Sequence, residues 1–204
     1  MRVRVLIADD EEQVLTGLAE MLESAGYSVI AKARTGREAC ELTAAVDPDV
    51  VLLDLRMPDM DGIEAARTIV QTAPTPIILC TAYCDEGLVV RAAEAGIYAY
   101  LLKPFHISDL VPAITVARYR HADAVNLGLQ IQKLGQQLEA RKWVEKAKGI
   151  VMKNRNLDEE QAHRYLQMES QRRSQPLVDL ARAVVTAEEM LKVKVVGETA
   201  GALA

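Results

Sequence analysis

The chain has 204 residues, of which 50% are hydrophobic and 26% are charged, and its formal net charge is −5. This composition excludes a disordered chain and a collagen-like repeat, and three cysteines are too few for a disulfide-stabilised scaffold. The length predicts one domain of ordinary size and a smaller second domain.

Charge is distributed unequally between the two parts of the chain. Residues 1–120 contain 11 basic and 18 acidic residues, whereas the remainder contains 13 basic and 11 acidic residues. This asymmetry predicts two domains with different partners, of which the second binds a polyanion. No run of about 18 apolar residues and no signal-peptide pattern occurs, so we expect a cytoplasmic protein.

The first 120 residues alternate between short apolar runs and segments with helical spacing. The apolar runs predict five buried strands, at residues 3–8, 29–31, 50–53, 77–80 and 99–102. The alternation predicts an α/β fold in which helices cover both faces of a doubly wound, five-stranded parallel sheet. Polar residues at the carboxyl ends of these strands would share one edge of the sheet.

A single long helix is predicted after the sheet, because no helix-breaking residue intervenes between about Ser108 and Asn154. Pro112 falls in its first turn, where the missing N–H is tolerated. Four apolar residues follow the 4-3-4 spacing of a short coiled coil: Leu127, Ile131, Leu134 and Leu138. This seam has two interpretations, a homodimer contact or an amphipathic helix that packs against another part of the chain.

Two further helices are predicted in the last part of the chain. Asp158 and Gln161 form a capping-box pattern at the start of one helix, and Ser174 before Pro176 marks the start of the other. The predicted divisions are a sheet domain at 1–120, a helical linker at 121–134, a three-helix domain at 135–191 and a flexible tail at 192–204.

Polar side chains follow four of the five predicted strands: Asp9, Asp10, Asp54, Thr81 and Lys103. Carboxylates at one sheet edge repel each other unless a cation joins them, and Mg²⁺ favours such oxygen ligands. A carboxylate can attack phosphorus, while Lys103 supplies a positive charge and Thr81 a hydroxyl donor. The set indicates a phosphorylatable aspartate, although each acid alone is typical of a helix cap or a turn.

Four motifs occur in this part of the chain: Asp9-Asp10-Glu11, the DLRMPDMDG segment at 54–62, Thr81-Ala82 and Lys103-Pro104-Phe105. With these motifs, residues 1 to about 120 resemble the receiver domain of two-component response regulators. The resemblance implies a flavodoxin-like sheet and a phosphoryl group that Asp54 accepts from a histidine kinase.

The resemblance also implies a magnesium site in which Asp10 and Asp54 bind the ion, helped by Asp9 and the backbone carbonyl of Arg56. A receiver catalyses only its own phosphorylation and slow dephosphorylation, so we expect no separate enzymatic activity. The alternative, a phosphatase with an aspartyl nucleophile, needs a second Asp two residues after the first, where this chain has Arg56.

Further residues are implied to sense the phosphoryl group. Thr81 and Lys103 contact it, and the bond between Lys103 and Pro104 is cis. Tyr100 stands at the aromatic switch position of the family, and its inward turn follows Thr81 when phosphate is bound.

A basic segment follows, because residues 133–155 contain seven basic residues and only two glutamates. Such a helix can bind nucleic-acid phosphates, although a charge run is also typical of a solvated helix face. Trp143 and Tyr165 are typical of core residues. The candidate RNA contacts in this helix and the next are Arg141, Lys142, Lys146, Lys148, Arg164 and Arg172.

Three segments in this region form a family pattern: EKAKGIVM at 145–152, DEEQA at 158–162 and LVDLARAVV at 177–185. With them, residues from about 135 to 190 resemble the ANTAR domain, a three-helix RNA-binding module of transcription antiterminators. His163, Gln167 and Ser170 depart from that family's usual residues. The resemblance implies binding to a pair of RNA stem-loops in leader transcripts, with dimerisation as part of the mechanism.

These patterns together predict a response regulator of a two-component system. Phosphorylation of Asp54 is expected to control a C-terminal unit that binds RNA and causes transcription antitermination. The alternative is a response regulator whose helical unit binds DNA or a protein partner. Competition between duplex DNA and RNA hairpins distinguishes the two.

Overall fold

The computed structural model describes residues 2–82 and 86–200, of which 86 and 191–200 are described by their backbone alone. The chain divides into two compact units, Met1–Asn126 and Leu127–Ala204. No helix among the described residues combines the length and the apolar character that are needed to cross a bilayer.

The first unit is built on a parallel sheet. Its strands are β1 (Arg4–Ala8), β2 (Ser28–Ala33), β3 (Val50–Asp54), β4 (Ile77–Thr81) and β5 (Ala99–Leu102). They lie in the order β2-β1-β3-β4-β5, and each neighbouring pair is parallel. This is the flavodoxin-like strand order, so the predicted α/β class and the five-stranded parallel sheet are confirmed.

Seven helices lie in the described part of the chain. They are α1 (Glu12–Ser24), α2 (Gly36–Val46), α3 (Gly62–Thr72), α4 (Glu86–Glu94), α5 (Ile107–Arg155), α6 (Glu159–Arg172) and α7 (Leu177–Ala200). α5 has 49 residues and contains Pro112 near its start, which confirms the single long helix after the sheet. The predicted linker at 121–134 is therefore an uninterrupted part of α5.

Alternate side chains of the strands form two hydrophobic cores, one on each face of the sheet. Val5 and Ile7 of β1 belong to the core that α1 and α5 cover. Leu6 and Ala8 belong to the core that α2 and α3 cover. Because both faces are covered, the central strands β1, β3 and β4 are apolar along most of their length. β1 has Arg4 at its amino end, whereas the polar residues of β3 and β4 are Asp54 and Thr81 at their carboxyl ends.

β2 and β5 depart from the prediction of five buried strands. They form the two edges of the sheet, and Ala33 is the fully buried residue of β2. On β5, Tyr100 and Leu102 are 46% and 48% exposed. An edge strand has a neighbouring strand on one side only, so its apolar composition overestimates its burial.

The turn after β3 brings the start of α3 close to the end of that strand. Asp61 caps α3 by accepting a hydrogen bond from the Glu64 N–H at 2.8 Å, and the Gly62 N–H donates to the Leu55 carbonyl at 2.9 Å. A Cβ atom at Gly62 would collide with the carbonyl oxygen of Asp54. Glycine thus permits the close approach that holds Asp54 at the edge of the sheet.

The second unit has its own core, made by the C-terminal part of α5 with α6 and α7. The buried residues of this core are Ala147, Val151, Ala162, Leu166, Leu180, Ala181 and Val185. The predicted capping box of α6 is confirmed: Asp158 accepts from the Gln161 N–H at 2.8 Å, and the Gln161 side chain accepts from the Asp158 N–H at 3.1 Å. The predicted three-helix arrangement is therefore present.

The start of α7 differs from the prediction. Ser174 has a φ of 51°, in the left-handed region, and does not cap the helix. The carbonyl of Pro176 instead accepts the N–H groups of Asp179 and Leu180 at 3.0 and 3.2 Å. Ser174 belongs to the turn that ends α6, where its N–H donates to the carbonyl of Gln171 at 3.1 Å.

α7 continues to Ala200, so residues 192–200, which we expected to form a flexible tail, have a helical backbone. That segment contains no proline, and its one glycine, Gly197, does not end the helix. The remaining predicted tail residues, 201–204, lie outside the described part of the chain.

Candidate functional site

Polar side chains converge at the carboxyl edge of the sheet. Asp54 and Thr81 are the last residues of β3 and β4, while Asp9 and Lys103 follow β1 and β5. Asp9, Asp54 and Thr81 are 3%, 7% and 2% exposed. A cavity of about 310 Å³ opens beside them, with Asp10 in its wall. The parallel strands thus bring together residues as much as 94 positions apart in the sequence.

The Lys103 ammonium group lies between the two buried carboxylates. Its Nζ is 2.5 Å from Asp9 Oδ2 and 2.5 Å from Asp54 Oδ1. The Lys103 N–H also donates to the Thr81 carbonyl at 2.8 Å, and the bond from Lys103 to Pro104 is cis, as the family resemblance implies. The Lys103 ammonium group therefore contacts both buried carboxylates and offsets part of their charge.

Backbone groups satisfy the remaining oxygens of both carboxylates. Asp54 Oδ2 accepts from the Arg56 N–H at 2.6 Å, and Asp9 Oδ1 accepts from the Glu11 N–H at 3.1 Å. Burial raises the pKa of Asp54 above its ordinary value, although Lys103 acts in the opposite direction. Burial opposes the charge of Lys103, but the two carboxylates outweigh it and raise its pKa, so its ammonium group is charged at neutral pH.

The oxygen donors at this edge fit a Mg²⁺ ion in type. Asp10 is exposed and, with Asp54 and Arg56, lines the cavity. Among the described residues, no three His, Cys, Asp or Glu side chains are grouped closely enough to hold a metal by themselves. Mg²⁺ is commonly bound by one or two carboxylates, with water and phosphate oxygens completing its shell.

Two neighbouring residues bear on the chemistry of the cavity. Tyr100 is exposed, so the inward turn that the family resemblance implies would bury its ring. Cys80, which pairs with Asp54 in the sheet register, is buried, and this burial raises the pKa of its thiol to about 12. The thiol is therefore protonated at neutral pH and does not compete with Asp54 as a nucleophile.

An apolar groove beside Lys103 was not anticipated from the sequence. It has a volume of about 270 Å³ and is lined by Val14, Leu18 and Met21 of α1 together with Lys103, Pro104 and Phe105. The family motif in the sequence contains Phe105, on one side of this groove. The α1 residues on the other side follow the spacing of ordinary core residues, so the sequence did not reveal them as part of a groove.

Five of the six predicted RNA contacts in the second unit are exposed, and they fall into two groups. Lys142, Arg164 and Arg172 are exposed and form ion pairs with Glu139, Glu160 and Glu169. Arg141 and Lys146 are exposed, and within the described residues no carboxylate oxygen lies within 4.0 Å of either.

Lys148 is a correction to the predicted contacts. It is only 8% exposed, and its Nζ lies 2.8 Å from Glu145 and 2.7 Å from Glu159. The position of Lys148 in the helical pattern did not reveal its ion pair with Glu159, because Glu159 belongs to the next helix. Lys148 joins α5 to α6 and does not present a free charge to a nucleic acid.

Sequence reasoning also missed Arg182 of α7. Its guanidinium carbon lies 5.9 Å from the centre of the Trp143 ring, and Lys146 Nζ lies 5.4 Å from the same centre. Arg155 lies similarly over Tyr165, at 4.3 Å. Trp143 and Tyr165 are partly buried against the core, as predicted, and the ring of each also makes cation–π contacts with basic side chains.

We expect Lys148→Met to lower the thermal midpoint of the second unit at neutral pH, because it removes both ion pairs and leaves the apolar stem in place. Lys148 holds the pKa of Glu159 below its ordinary value. That stabilisation is present above the ordinary glutamate pKa and is lost as the pH falls, so the difference in midpoint should shrink in acid.

Fluorescence of Trp143, the one tryptophan of the chain, reports on this unit specifically. The control is Lys133→Met, because Lys133 is exposed on the same helix. A difference between Lys148→Met and the unsubstituted protein that stays constant from pH 7 to pH 3 would contradict the assigned ion pairs.

Two family models match the chain, the response regulator receiver domain at residues 5–115 and the ANTAR domain at residues 132–185. Transcriptional regulatory protein PdtaR of Mycobacterium tuberculosis is 41% identical over 182 residues, which cover 89% of each chain. The chemotaxis protein CheY of Thermotoga maritima is 38% identical over 56% of this chain and 96% of its own length. The first relative is therefore similar to both units, and the second to the sheet unit.

Solved structures are similar to the sheet unit. The response regulator domain of Thermotoga maritima CheB has a TM-score of 0.55 and 28% identity, and it covers 58% of this chain and 98% of its own. A CheY-like receiver domain protein of Methanospirillum hungatei has a TM-score of 0.56 and 27% identity, and it covers 61% of this chain and 99% of its own.

Proposed function

Because this chain is a response regulator of a two-component system, with a receiver domain followed by an ANTAR domain, we propose that Asp54 accepts a phosphoryl group from a histidine kinase. Phosphorylation then controls binding of the ANTAR domain to RNA stem-loops in leader transcripts, which causes transcription antitermination in the cytoplasm. The observation that carries this proposal is the buried Asp54 carboxylate at an open cavity, held 2.5 Å from Lys103.

Asp54 acts as the nucleophile of the phosphoryl transfer. One carboxylate oxygen bonds to phosphorus while the bond from phosphorus to the kinase's histidine nitrogen breaks, and the electron pair stays on that nitrogen. Lys103 then donates to a phosphoryl oxygen in place of the Asp54 oxygen, and the Thr81 hydroxyl donates to the phosphoryl group as well. The receiver performs only this reaction and a slow dephosphorylation, with no other substrate.

Asp10, Asp54 and the backbone carbonyl of Arg56 would hold Mg²⁺, with Asp9 nearby. When bound, the ion neutralises the charge that develops on the phosphoryl oxygens. Asp9 has a second task in this chain, because its hydrogen bond to Lys103 keeps the ammonium group at the cavity when Asp54 becomes esterified. The kinase would approach along the apolar groove of α1, which shares Lys103 with the cavity.

Dimerisation through α5 is part of the proposal. The four seam residues Leu127, Ile131, Leu134 and Leu138 are 59% to 63% exposed on a single chain. A second copy would cover them at the 4-3-4 spacing of a coiled coil. Sedimentation of the Asp54→Asn variant and of the phosphorylated protein tests this; a monomer in both states would remove the coiled coil from the mechanism.

The RNA output is tested with full-length phosphorylated protein and a pool of RNAs that carry two tandem stem-loops with randomised loop bases. We expect binding to this pool that duplex DNA of equal length does not displace, because RNA readers recognise unpaired loop bases. Displacement by duplex DNA would favour the alternative, a DNA-binding output. Absence of binding to RNA in both phosphorylation states would overturn antitermination as the function.

A further inference from the structure

Ion pairing divides the basic residues of the ANTAR domain into neutralised and unneutralised cations. Five of them have a carboxylate oxygen within 3.2 Å: Lys142, Lys148, Arg164, Arg172 and Arg173. A phosphate that contacted one of these would have to displace or share a carboxylate. The charges available to a polyanion are therefore fewer than the sequence suggests.

Lys146 and Arg182 belong to the second class. They come from α5 and α7, and both lie within 6 Å of the centre of the Trp143 ring. Both are exposed, and neither has a carboxylate oxygen within 4.0 Å among the described residues. An indole ring attracts a cation without neutralising it, so both side chains keep their positive charge.

The charges around Trp143 add up to a local positive field. Lys142 is the main cause of the lowered pKa of Glu139, and Lys146 and Arg182 lower it further. Their fields therefore overlap at one place on the surface. Glu139 forms its close ion pair with Lys142, at 2.6 Å, and offsets the charges of Lys146 and Arg182 only at longer range.

We propose that Lys146 and Arg182, held together over Trp143, form the principal phosphate-binding site of the ANTAR domain for RNA. This inference rests on the proposed RNA binding and assigns it to a surface shared by α5 and α7. Arg182 presents the planar fork that can bind a phosphate with two hydrogen bonds, and Lys146 adds a compact charge beside it. Trp143 is a positioning residue, because both cations lie within 6 Å of the centre of its ring.

The experiment compares two doubly substituted full-length proteins in which the same amount of charge is removed. Lys146→Gln with Arg182→Gln removes the proposed site, and Arg34→Gln with Arg173→Gln removes two cations that are paired with the carboxylates of Glu12 and Glu169. Each is titrated with the tandem stem-loop RNA over a range of salt concentrations. Trp143 fluorescence checks that the domain stays folded.

The first double variant should bind about tenfold more weakly or worse, and its slope of log affinity against log salt should fall by about 1 to 2, because each lost phosphate contact removes a little under one unit. The second double variant should keep the slope of the unsubstituted protein. Equal slopes for the first variant and the unsubstituted protein would overturn this inference alone. Failure of the unsubstituted protein to bind RNA would overturn the proposed function and this inference with it.

The positioning role is tested with Trp143→Phe and Trp143→Leu, with circular dichroism as the check of folding. Phe keeps an aromatic face, whereas Leu keeps only apolar packing, so we expect affinity to be largely retained in the first and reduced in the second. Equal affinities of two folded variants would contradict a role for the ring. The role of the ring would also be contradicted if Trp143→Phe bound RNA as weakly as the double variant of Lys146 and Arg182.

Discussion

Replacement of Asp54 by Asn is expected to reduce uptake of phosphate from a small-molecule donor or a histidine kinase to background. Both oxygens of Asp54 are used in the structure, one by Lys103 and one by the Arg56 N–H, and the substitution replaces one carboxylate oxygen with an amide nitrogen. An amide is a far weaker nucleophile than a carboxylate. Incorporation of labelled phosphate into the full-length protein measures the effect.

Asp59→Asn is the matched control, because Asp59 is an exposed aspartate in the loop that follows Asp54. Its φ of 67° lies in the left-handed region, which Asn tolerates well. We expect this variant to be phosphorylated as fast as the unsubstituted protein. Equal labelling of Asp54→Asn and Asp59→Asn would show that another residue accepts the phosphoryl group.

Replacement of Lys103 by Met is expected to lower the free energy of unfolding of the receiver domain by about 3 kcal/mol at neutral pH, because it leaves two buried carboxylates without their cation. The side chain of Lys103 is 23% exposed, and the side chains of Asp9 and Asp54 are 4% and 10% exposed. The loss should be read from hydrogen exchange of the buried amides of β1 and β3, since the tryptophan lies in the other domain.

The pH dependence of this variant follows from the same geometry. Without Lys103 the pKa of Asp54, already raised by burial, rises further in the folded state. A carboxyl group with a raised folded pKa destabilises the protein above that pKa and ceases to do so as the pH falls. The deficit of Lys103→Met should therefore shrink in acid, and added Mg²⁺ should reduce it at neutral pH.

Lys32→Met serves as the control, since Lys32 is exposed on the edge strand β2. Its free energy of unfolding should stay within about 0.5 kcal/mol of the unsubstituted protein. Full stability of Lys103→Met at pH 7 without Mg²⁺ would contradict the view that the ammonium group compensates the two carboxylates.

Much of the receiver could be predicted because its signals are local or follow from strand topology. Apolar runs located each strand to within about two residues of its ends, and the parallel order then required Asp54, Thr81 and Lys103 to meet at one edge. What the runs did not reveal was position within the sheet. β5 consists of apolar residues and β2 contains the apolar run Val29-Ile30-Ala31, but both strands lie at the edges of the sheet, which the composition of a strand does not reveal.

The ANTAR domain shows where one-dimensional charge patterns fail. Lys148 and Lys146 are two residues apart in one basic helix, yet Lys148 is buried and paired with Glu159 of α6, whereas Lys146 is exposed near the Trp143 ring. Arg182 joins Lys146 from a helix more than 30 residues later. Which cations are neutralised depends on contacts between helices, and a count of basic residues along the chain does not contain them.

The net charge of −5 is the sum of an acidic receiver and a weakly basic second part of the chain, which have different roles. The receiver gathers acids around an ammonium group and a proposed magnesium site, whereas several cations of the ANTAR domain have no carboxylate oxygen within 4.0 Å among the described residues. The proposed mechanism requires that chemistry at Asp54 changes the affinity of those cations for RNA, which is a coupling between two sites of one chain.

The most direct test of this coupling is the affinity of the full-length protein for the tandem stem-loop RNA, measured with and without phosphorylation and repeated with Asp54→Asn. We expect phosphorylation to tighten binding by about tenfold or more, within the usual range of allosteric coupling, and to leave Asp54→Asn unchanged. The same affinity for the phosphorylated and unphosphorylated protein would contradict control of RNA binding by Asp54.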